Sequence, residues 1–214
     1  MTPVELAERG YVPDRLIRIA IRRLLARRLA ELEPEDCEAE QRARDAFLRD
    51  ARRAPIAIST AVANQQHYEI PTAFYEGVLG PRLKYSCAHW PGGVATLARA
   101  EESMLALTTE RAGIEDGARV LDLGCGWGSL SLWIAERFPN CQIVAVSNSK
   151  SQRETILARC DARGLDNIEV VTADINHFEP DGRFDRVVSV EMFEHVRNHG
   201  LLMERISRWL ESDG

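Results

Sequence analysis

Long apolar runs are missing from this chain: no stretch is apolar and long enough to cross a lipid bilayer, and the first residues show no signal-peptide pattern. An excess of basic residues is missing as well, since 27 Lys and Arg stand against 33 Asp and Glu, a net charge of -6. Phosphate binding needs clustered Lys and Arg, so the charge balance does not indicate a nucleic-acid partner. These absences predict a cytoplasmic protein that binds no nucleic acid.

Paired cysteines are absent too. The five cysteines are odd in number and show no C-x-x-C spacing, which argues against a disulfide framework or a zinc site and indicates reduced thiols. No metal site is predicted. Internal repeats and low-complexity tracts are also missing. The 214 residues, 45% of them hydrophobic and 28% charged, suit one substantial globular domain with a small appendage.

The first 60 residues have a helical pattern. The segment "PDRLIRIAIRRLLARRLAELEPED" begins with Pro13 and Asp14, a typical helix start, and continues with good helix formers. Its interleaved arginines and apolar residues suit either an anionic membrane surface or packing on the main domain with the arginines solvated or paired. The acidic run "ELEPEDCEAE" that follows would repel anionic lipid, so the second interpretation is favoured and membrane contact is at most peripheral.

From about residue 100 the pattern alternates between strands and helices. The segments "ARVLDLGCG", "CQIVAVSNS", "NIEVVTADI" and "FDRVVSVEM" are predicted strands, and each is followed by a turn or a helical segment. Such alternation predicts right-handed crossovers and a doubly wound, Rossmann-like parallel sheet in an α/β domain. Ligands on such a sheet bind outside the carboxyl ends of the strands, where Gly124, Ser147, Asp174 and Glu191 fall.

The last residues, "WLESDG", have the pattern of a helix end and turn that leads into a further strand. A four-stranded sheet stopping there would expose an edge and leave the crevice with one wall only partly built. We therefore expect the sheet to be incomplete and further strands to follow Gly214 in a longer protein.

A glycine loop follows the first strand. "LDLGCGWGSL" places Gly124, Gly126 and Gly128 in a G-x-G-x-G spacing, where positive φ and close approach of a ligand to the backbone are possible. This spacing is neither the G-x-G-x-x-G of dinucleotide folds nor a P-loop, and no Lys follows to hold a phosphate. A glycine loop alone is weak evidence for a ligand site, but one preceded by "VLDL" within a βαβ unit is considerably stronger evidence.

"VLDLGCGWG" resembles motif I of the class I S-adenosylmethionine-dependent methyltransferases. With "HYEIPTAFYEGVLGPRLKYSCAHW", "VSNSKSQ" and "VTADINHFEPDGRFDRVVSVEMFEHV", the chain resembles the cyclopropane-fatty-acyl-phospholipid synthase family, and within it the coclaurine N-methyltransferase-like branch. The resemblance implies a helical, cofactor-covering segment over residues 1–100 and an S-adenosylmethionine-binding domain over residues 101–214. It leaves the oligomeric state open.

The same resemblance assigns the cofactor site. Most class I methyltransferases carry an acidic residue after the second strand, whereas this chain has "SNSKSQ" there, which makes Asn148 and Gln152 the candidate ribose partners. His67 and Tyr68 are open between a ligand contact and a local hydrogen bond. The residues assigned to S-adenosylmethionine are Tyr85, Ser86, Asp122, Gly124, Gly126, Gly128, Ser147, Asn148, Gln152, Asp174 and Ile175.

The stretch "SVEMFEHV" supplies the candidate catalytic residues Glu191, Glu194 and His195. An alkylamine is mostly protonated near neutral pH and an ammonium has no lone pair, so N-methylation needs a base to take the proton. Carboxylates also attract the incoming cation. The cluster therefore predicts methyl transfer to a small amine.

Two alternatives stay open at this point. In the lipid-modifying enzymes of the family, a Cys in "YSC" and the Glu and His of "FEH" help to bind bicarbonate for cyclopropanation of an unsaturated lipid chain; Cys87, Glu194 and His195 match those positions. Those enzymes usually have Gly where this chain has Glu191, which favours the amine reading. The other alternative is a non-catalytic cofactor-binding or scaffold protein.

Overall fold

The computed structural model describes residues 1–33, 36–58 and 70–214, which form two compact units, Met1–Asp50 and Ala51–Gly214. His67 and Tyr68 lie outside the described residues. None of the described helices is both long and apolar enough to span a bilayer.

The first unit is helical, as the sequence pattern predicts. Helix α1 spans Pro3–Glu8 and begins with a capping box, in which the Thr2 hydroxyl accepts from the Glu5 backbone N–H and the Glu5 carboxylate accepts from the Thr2 backbone N–H. Two longer helices follow, α2 (Asp14–Leu32) and α3 (Cys37–Arg53), the last turn of α3 belonging to the second unit. No residue of α2 is buried, and its arginines are solvent-exposed.

The second unit contains a four-stranded parallel sheet. Its strands are short, and their bounds are β1 Arg119–Leu123, β2 Gln142–Ser147, β3 Ile168–Thr172 and β4 Arg186–Val188. They run in the order β3-β2-β1-β4, and the two central strands, β1 and β2, are mostly buried. Asp122 of β1 stands opposite Ala145 of β2 and Val188 of β4, so the carboxyl ends of these strands meet at one edge. The predicted α/β fold with a parallel sheet is confirmed.

Helices cover both faces of the sheet. Alternation along β1 turns Leu121 and Leu123 toward Phe184 and Trp209 on one face, and turns Val120 toward the helix Ser129–Arg137 on the other. The helices of this unit are α4 (Thr72–Val78), α5 (Leu97–Arg111), α6 (Ser129–Arg137), α7 (Lys150–Arg163) and α8 (His199–Trp209), with a 3₁₀ turn at Phe193–His195. Asp122 shares the face of Val120, which sets it under the start of α6.

The fourth strand is shorter than its apolar pattern predicts. "FDRVVSVEM" suggests a strand that continues to Met192, yet the ladder with β1 ends at Val188. The hydroxyl of Ser189 donates to the backbone oxygen of Leu123 at 2.7 Å, and the chain then turns away from the ladder. The residues that follow β4 are thereby free to form one side of a cleft instead of extending the sheet.

Candidate active site

Three glycines form the loop between β1 and α6, and each one meets a different surrounding. All three have positive φ: 85° at Gly124, 54° at Gly126 and 77° at Gly128. A Cβ at Gly124 would come within 2.7 Å of Met192, and one at Gly128 within 2.7 Å of Ile156. A Cβ at Gly126 would meet no described atom within 4 Å. Gly126 is therefore the position where the backbone faces open space.

That open space belongs to a cleft at the carboxyl ends of the strands, which we call the main cleft. Its volume is about 900 Å³ when the open solvent at its mouth is included. Ala57, Ile58, Met192 and Val196 supply apolar parts of its lining. It also brings together nine residues that the sequence assigns to cofactor or catalysis: Gly124, Gly126, Ser147, Asn148, Gln152, Asp174, Ile175, Glu191 and His195.

The polar groups at the bottom of the main cleft are held by one another. The Ser147 hydroxyl donates to Gln152 Oε1 at 2.5 Å, and the backbone N–H of Ser149 donates to the Ser147 hydroxyl at 3.0 Å. Gln152 is 2% exposed, and its Nε2 has no acceptor among the described residues. A buried amide donor without a partner is unfavourable, so the site presents a donor that an acceptor on a ligand would satisfy.

Asp174 follows β3 and is likewise fixed by its own loop. Its Oδ1 accepts from the backbone N–H of Asn176 at 2.8 Å. The Asn176 side chain in turn donates to the Ala57 oxygen at 2.9 Å and accepts from the Ala57 N–H at 3.1 Å. This amide clasp holds the segment around Ala57 against the wall of the main cleft.

A second cleft shares Gly124, Gly126 and Glu191 with the main cleft. Asp122 lies at its floor, 2% exposed, and accepts from the Ser131 hydroxyl at 2.6 Å. Burial raises the pKa of the Asp122 carboxyl to about 6, and the hydrogen bond from Ser131 opposes that rise. Trp127 Nε1 and the Ser129 hydroxyl are buried along the same cleft without a partner among the described residues.

The segment that carries Tyr85 and Ser86 closes the second cleft. Glu101, a buried residue of α5, accepts from the backbone N–H groups of Arg82 at 3.1 Å and Lys84 at 3.3 Å. Tyr85 stands edge-on to Tyr75, their ring centroids 5.2 Å apart. Hydrogen bonds at Arg82 and Lys84 and the ring contact at Tyr85 therefore hold this segment in place.

Glu191, Glu194 and His195 line a third cleft together with Lys84, Tyr85 and Ser86. The three side chains are solvent-exposed. Glu191 has a φ of 52°, a left-handed backbone conformation that is uncommon for a residue other than glycine. Its carboxylate accepts from the backbone N–H of Cys87 at 3.2 Å. Glu191 also lines the main and second clefts.

Two of the predicted site residues stand apart from the three clefts. Gly128 lines none of them and packs against Ile156, and the lining of none includes Cys87. Conversely, Lys84 and Trp127 line a cleft although the sequence did not mark them as site residues. Nothing in the local pattern identifies Lys84, because its burial depends on Glu101 and the glycine loop, which are distant in sequence.

Within residues 1–33, 36–58 and 70–214, no group of three or more His, Cys, Asp and Glu side chains is arranged to hold a metal ion.

Known proteins share both the sequence and the arrangement of this unit. The family model described as mycolic acid cyclopropane synthetase matches residues 57–214. An (S)-coclaurine N-methyltransferase of Thalictrum flavum subsp. glaucum is 40% identical over 208 residues, 97% of this chain and 57% of that protein. A cyclopropane-fatty-acyl-phospholipid synthase of Escherichia coli strain K12 is 32% identical over 155 residues, 72% of this chain and 39% of that protein.

Solved structures agree with these relatives. A coclaurine N-methyltransferase bound to N-methylheliamine and SAH superposes with a TM-score of 0.83 at 40% identity, over 98% of this chain and 60% of that one. A mycolic acid cyclopropane synthase complexed with SAH and CTAB superposes with a TM-score of 0.63 at 27% identity, over 71% and 53%. The chain spans about half the length of the relatives it matches. The resemblance predicted from the motifs is confirmed: the chain belongs to the mycolic acid cyclopropane synthetase family.

Proposed function

We propose that the protein transfers a methyl group from S-adenosylmethionine to the nitrogen of a small amine. The observation that carries this proposal is the position of Glu191, which lines the main, second and third clefts. A carboxylate at that junction stands between the cofactor-binding residues and an exposed acceptor side. The N-methyltransferases among its relatives support the choice of an amine.

The described residues fit the cofactor. Open space at Gly126 admits a ligand against the backbone, and the unpartnered Nε2 of Gln152 offers a donor to ribose hydroxyls. Asp174 and Ile175 follow β3 on the same cleft and would face the adenine, while Tyr85 and Ser86 would cover the methionine end. When bound, S-adenosylmethionine supplies an electrophilic methyl carbon attached to a sulfonium.

The residues around that methyl group have two tasks, which are to bring in the amine and to remove its proton. Glu191 and Glu194 give the third cleft a negative lining that attracts an ammonium. His195 lines the same cleft and can accept the proton before the nitrogen attacks. These residues would hold the neutral amine next to the methyl carbon. Holding two reactants in the correct orientation raises the rate, because they lose less translational and rotational freedom when they react.

Lipid cyclopropanation is the second candidate, because the chain retains Cys87, Glu194 and His195 and has a cyclopropane-fatty-acyl-phospholipid synthase among its relatives. Against it, the third cleft holds Glu191 as well. A scaffold role predicts cofactor binding without turnover. The helical cover over residues 1–100 is part of the proposal, and a cytoplasmic location stays a prediction.

Product mass separates these candidates. The full-length protein is incubated with S-adenosylmethionine and either a panel of secondary and tertiary amines, heliamine included, or phospholipid vesicles with unsaturated chains, each with and without bicarbonate. We expect amines heavier by one methylene unit, formed without bicarbonate. Cyclopropanated lipid formed only with bicarbonate would replace the amine proposal, and binding of S-adenosylmethionine without any product would favour the scaffold.

A further inference from the structure

Lys84 is a buried cation in the wall of the second and third clefts. The residue is 6% exposed, and its ammonium donates to the Ser86 hydroxyl. An ammonium has three donors. Among the described residues no ion pair joins Lys84 to a carboxylate. A lysine is thus held at the surface of a binding cleft with its charge only partly satisfied.

Burial of a lysine without a counter-ion is unfavourable, because the charged group loses hydration that a single hydroxyl replaces only in part. The pKa of Lys84 is lowered by this burial, while the acidic groups of Cys87, Glu191 and Glu101 act in the opposite direction. Glu101 is engaged with the backbone of Arg82 and of Lys84 itself. An anionic ligand in the cleft would supply the missing partner.

The other polar groups of the second cleft indicate the charges that such a ligand would carry. Trp127 Nε1 and the Ser129 hydroxyl are further donors without a described acceptor, and Trp127 is 1% exposed. Helix α6 begins at Ser129, so the positive end of its dipole also faces this region. These groups favour an anion, whereas the buried carboxylate of Asp122 at the floor of the cleft favours a cation. A positive wall beside one carboxylate complements an α-amino acid, with its carboxylate and its ammonium.

We propose that Lys84 is the counter-ion of the carboxylate at the methionine end of the cofactor. The proposal rests on the function proposed above and adds to it a residue that selects the cofactor by charge. Lys84 also has a rival role, as a counter-ion of Glu191 that serves the acceptor side. The two roles predict different binding data. In the first role, loss of Lys84 weakens the binding of a ligand only when that ligand has a carboxylate. In the second role, the effect of losing Lys84 does not depend on that carboxylate.

The test compares two ligands that differ by that carboxylate, S-adenosylmethionine and decarboxylated S-adenosylmethionine. Calorimetry measures both on the wild type, on Lys84→Gln and on Lys84→Arg. The sequence has one other lysine, the exposed Lys150 at the start of α7, which lines none of the three clefts and provides a matched control as Lys150→Gln. Thermal melting checks that each variant is folded.

We expect Lys84→Gln to weaken S-adenosylmethionine about 10- to 100-fold, as for the loss of a hydrogen bond to a charged group, and to leave the decarboxylated ligand unchanged. Lys84→Arg should retain most of the preference for the carboxylate, and Lys150→Gln all of it. Equal loss for both ligands, or none, would overturn the inference. So would a wild type that binds both ligands equally, a result that needs no variant to fold. A wild type that binds neither ligand would instead overturn the proposed function on which the inference rests.

Discussion

The floor of the clefts and their outer rim hold polar groups in different ways. On the floor, Asp122, Ser147 and Gln152 are at most 5% exposed, and each takes part in a hydrogen bond of 2.6 Å or less with another side chain. On the rim, Glu191 and His195 are exposed to solvent, and Glu191 accepts a single backbone hydrogen bond of 3.2 Å from Cys87.

The difference indicates a division of labour. Buried groups that fix one another are ready before a ligand arrives, so changing them should alter cofactor affinity and the stability of the protein. Exposed groups are hydrated until a substrate orders them, and changing them should alter the rate of the reaction. Four predictions test this division of labour.

Rim substitutions should give the largest effect, on turnover alone. We expect Glu191→Gln and His195→Ala each to lower the rate about 10²- to 10⁴-fold, as for the loss of a positioned base, with little change in S-adenosylmethionine affinity. Single-turnover kinetics and calorimetry measure the two quantities. His177→Ala, an exposed histidine outside the three clefts, is the control. A rim variant that lost cofactor affinity as strongly as rate would erase the distinction.

On the floor, Asp122→Asn should trade stability against binding. The Asp122 pKa rises from 3.8 to about 6 in the folded protein, so the folded state holds the proton more tightly than the unfolded state between those pH values. Stability from this group is fully present below about pH 4 and is lost as pH rises through about 6. The total loss is about 3 kcal/mol, of which about half falls above pH 5. Urea unfolding of the ligand-free protein at pH 5 and pH 8 should show Asp122→Asn gaining stability relative to the wild type as pH rises, while its cofactor affinity falls. A pH-independent difference would contradict the assignment.

Within the glycine loop the same substitution should have two outcomes. Alanine at Gly126 or at Gly128 should lower stability by about 1 kcal/mol because both positions have a positive φ. Only at Gly128 would the new Cβ also collide with another side chain, that of Ile156. Gly128→Ala should therefore lose about 1–3 kcal/mol more stability, measured by thermal melting. Gly126→Ala should instead lose cofactor affinity in calorimetry. If both variants behaved alike, the open space at Gly126 would have no bearing on the ligand.

The smallest effect is expected at Cys87. Its contact with Glu191 uses the backbone N–H, which a serine retains, so Cys87→Ser should turn over amines at the wild-type rate with or without bicarbonate. Rate measurements under both conditions decide the matter. A large, bicarbonate-linked loss would move the rim chemistry to the lipid alternative.

Much of the architecture was predictable, because it depends on local patterns. The apolar strands, the helix end at Gly164 with its φ of 64°, and the loop after β1 all leave signals within a few residues. The end of β4 at Val188 was not predictable, since it depends on Ser189 reaching the oxygen of Leu123. The burial of Lys84 was not predictable for the same reason. A lysine next to a tyrosine is normally expected to be exposed, and its burial depends on Glu101 and the glycine loop, which are distant in sequence.

The left-handed backbone at Glu191 sets a conformational cost on placing a carboxylate at this position. At a φ of 52° glycine is unstrained, whereas any other L-residue bears about 1 kcal/mol or more. Replacing Glu191 by glycine would therefore relieve backbone strain and at the same time remove a carboxylate that lines all three clefts. At this one position, the stability of the loop and the negative charge of the site oppose each other.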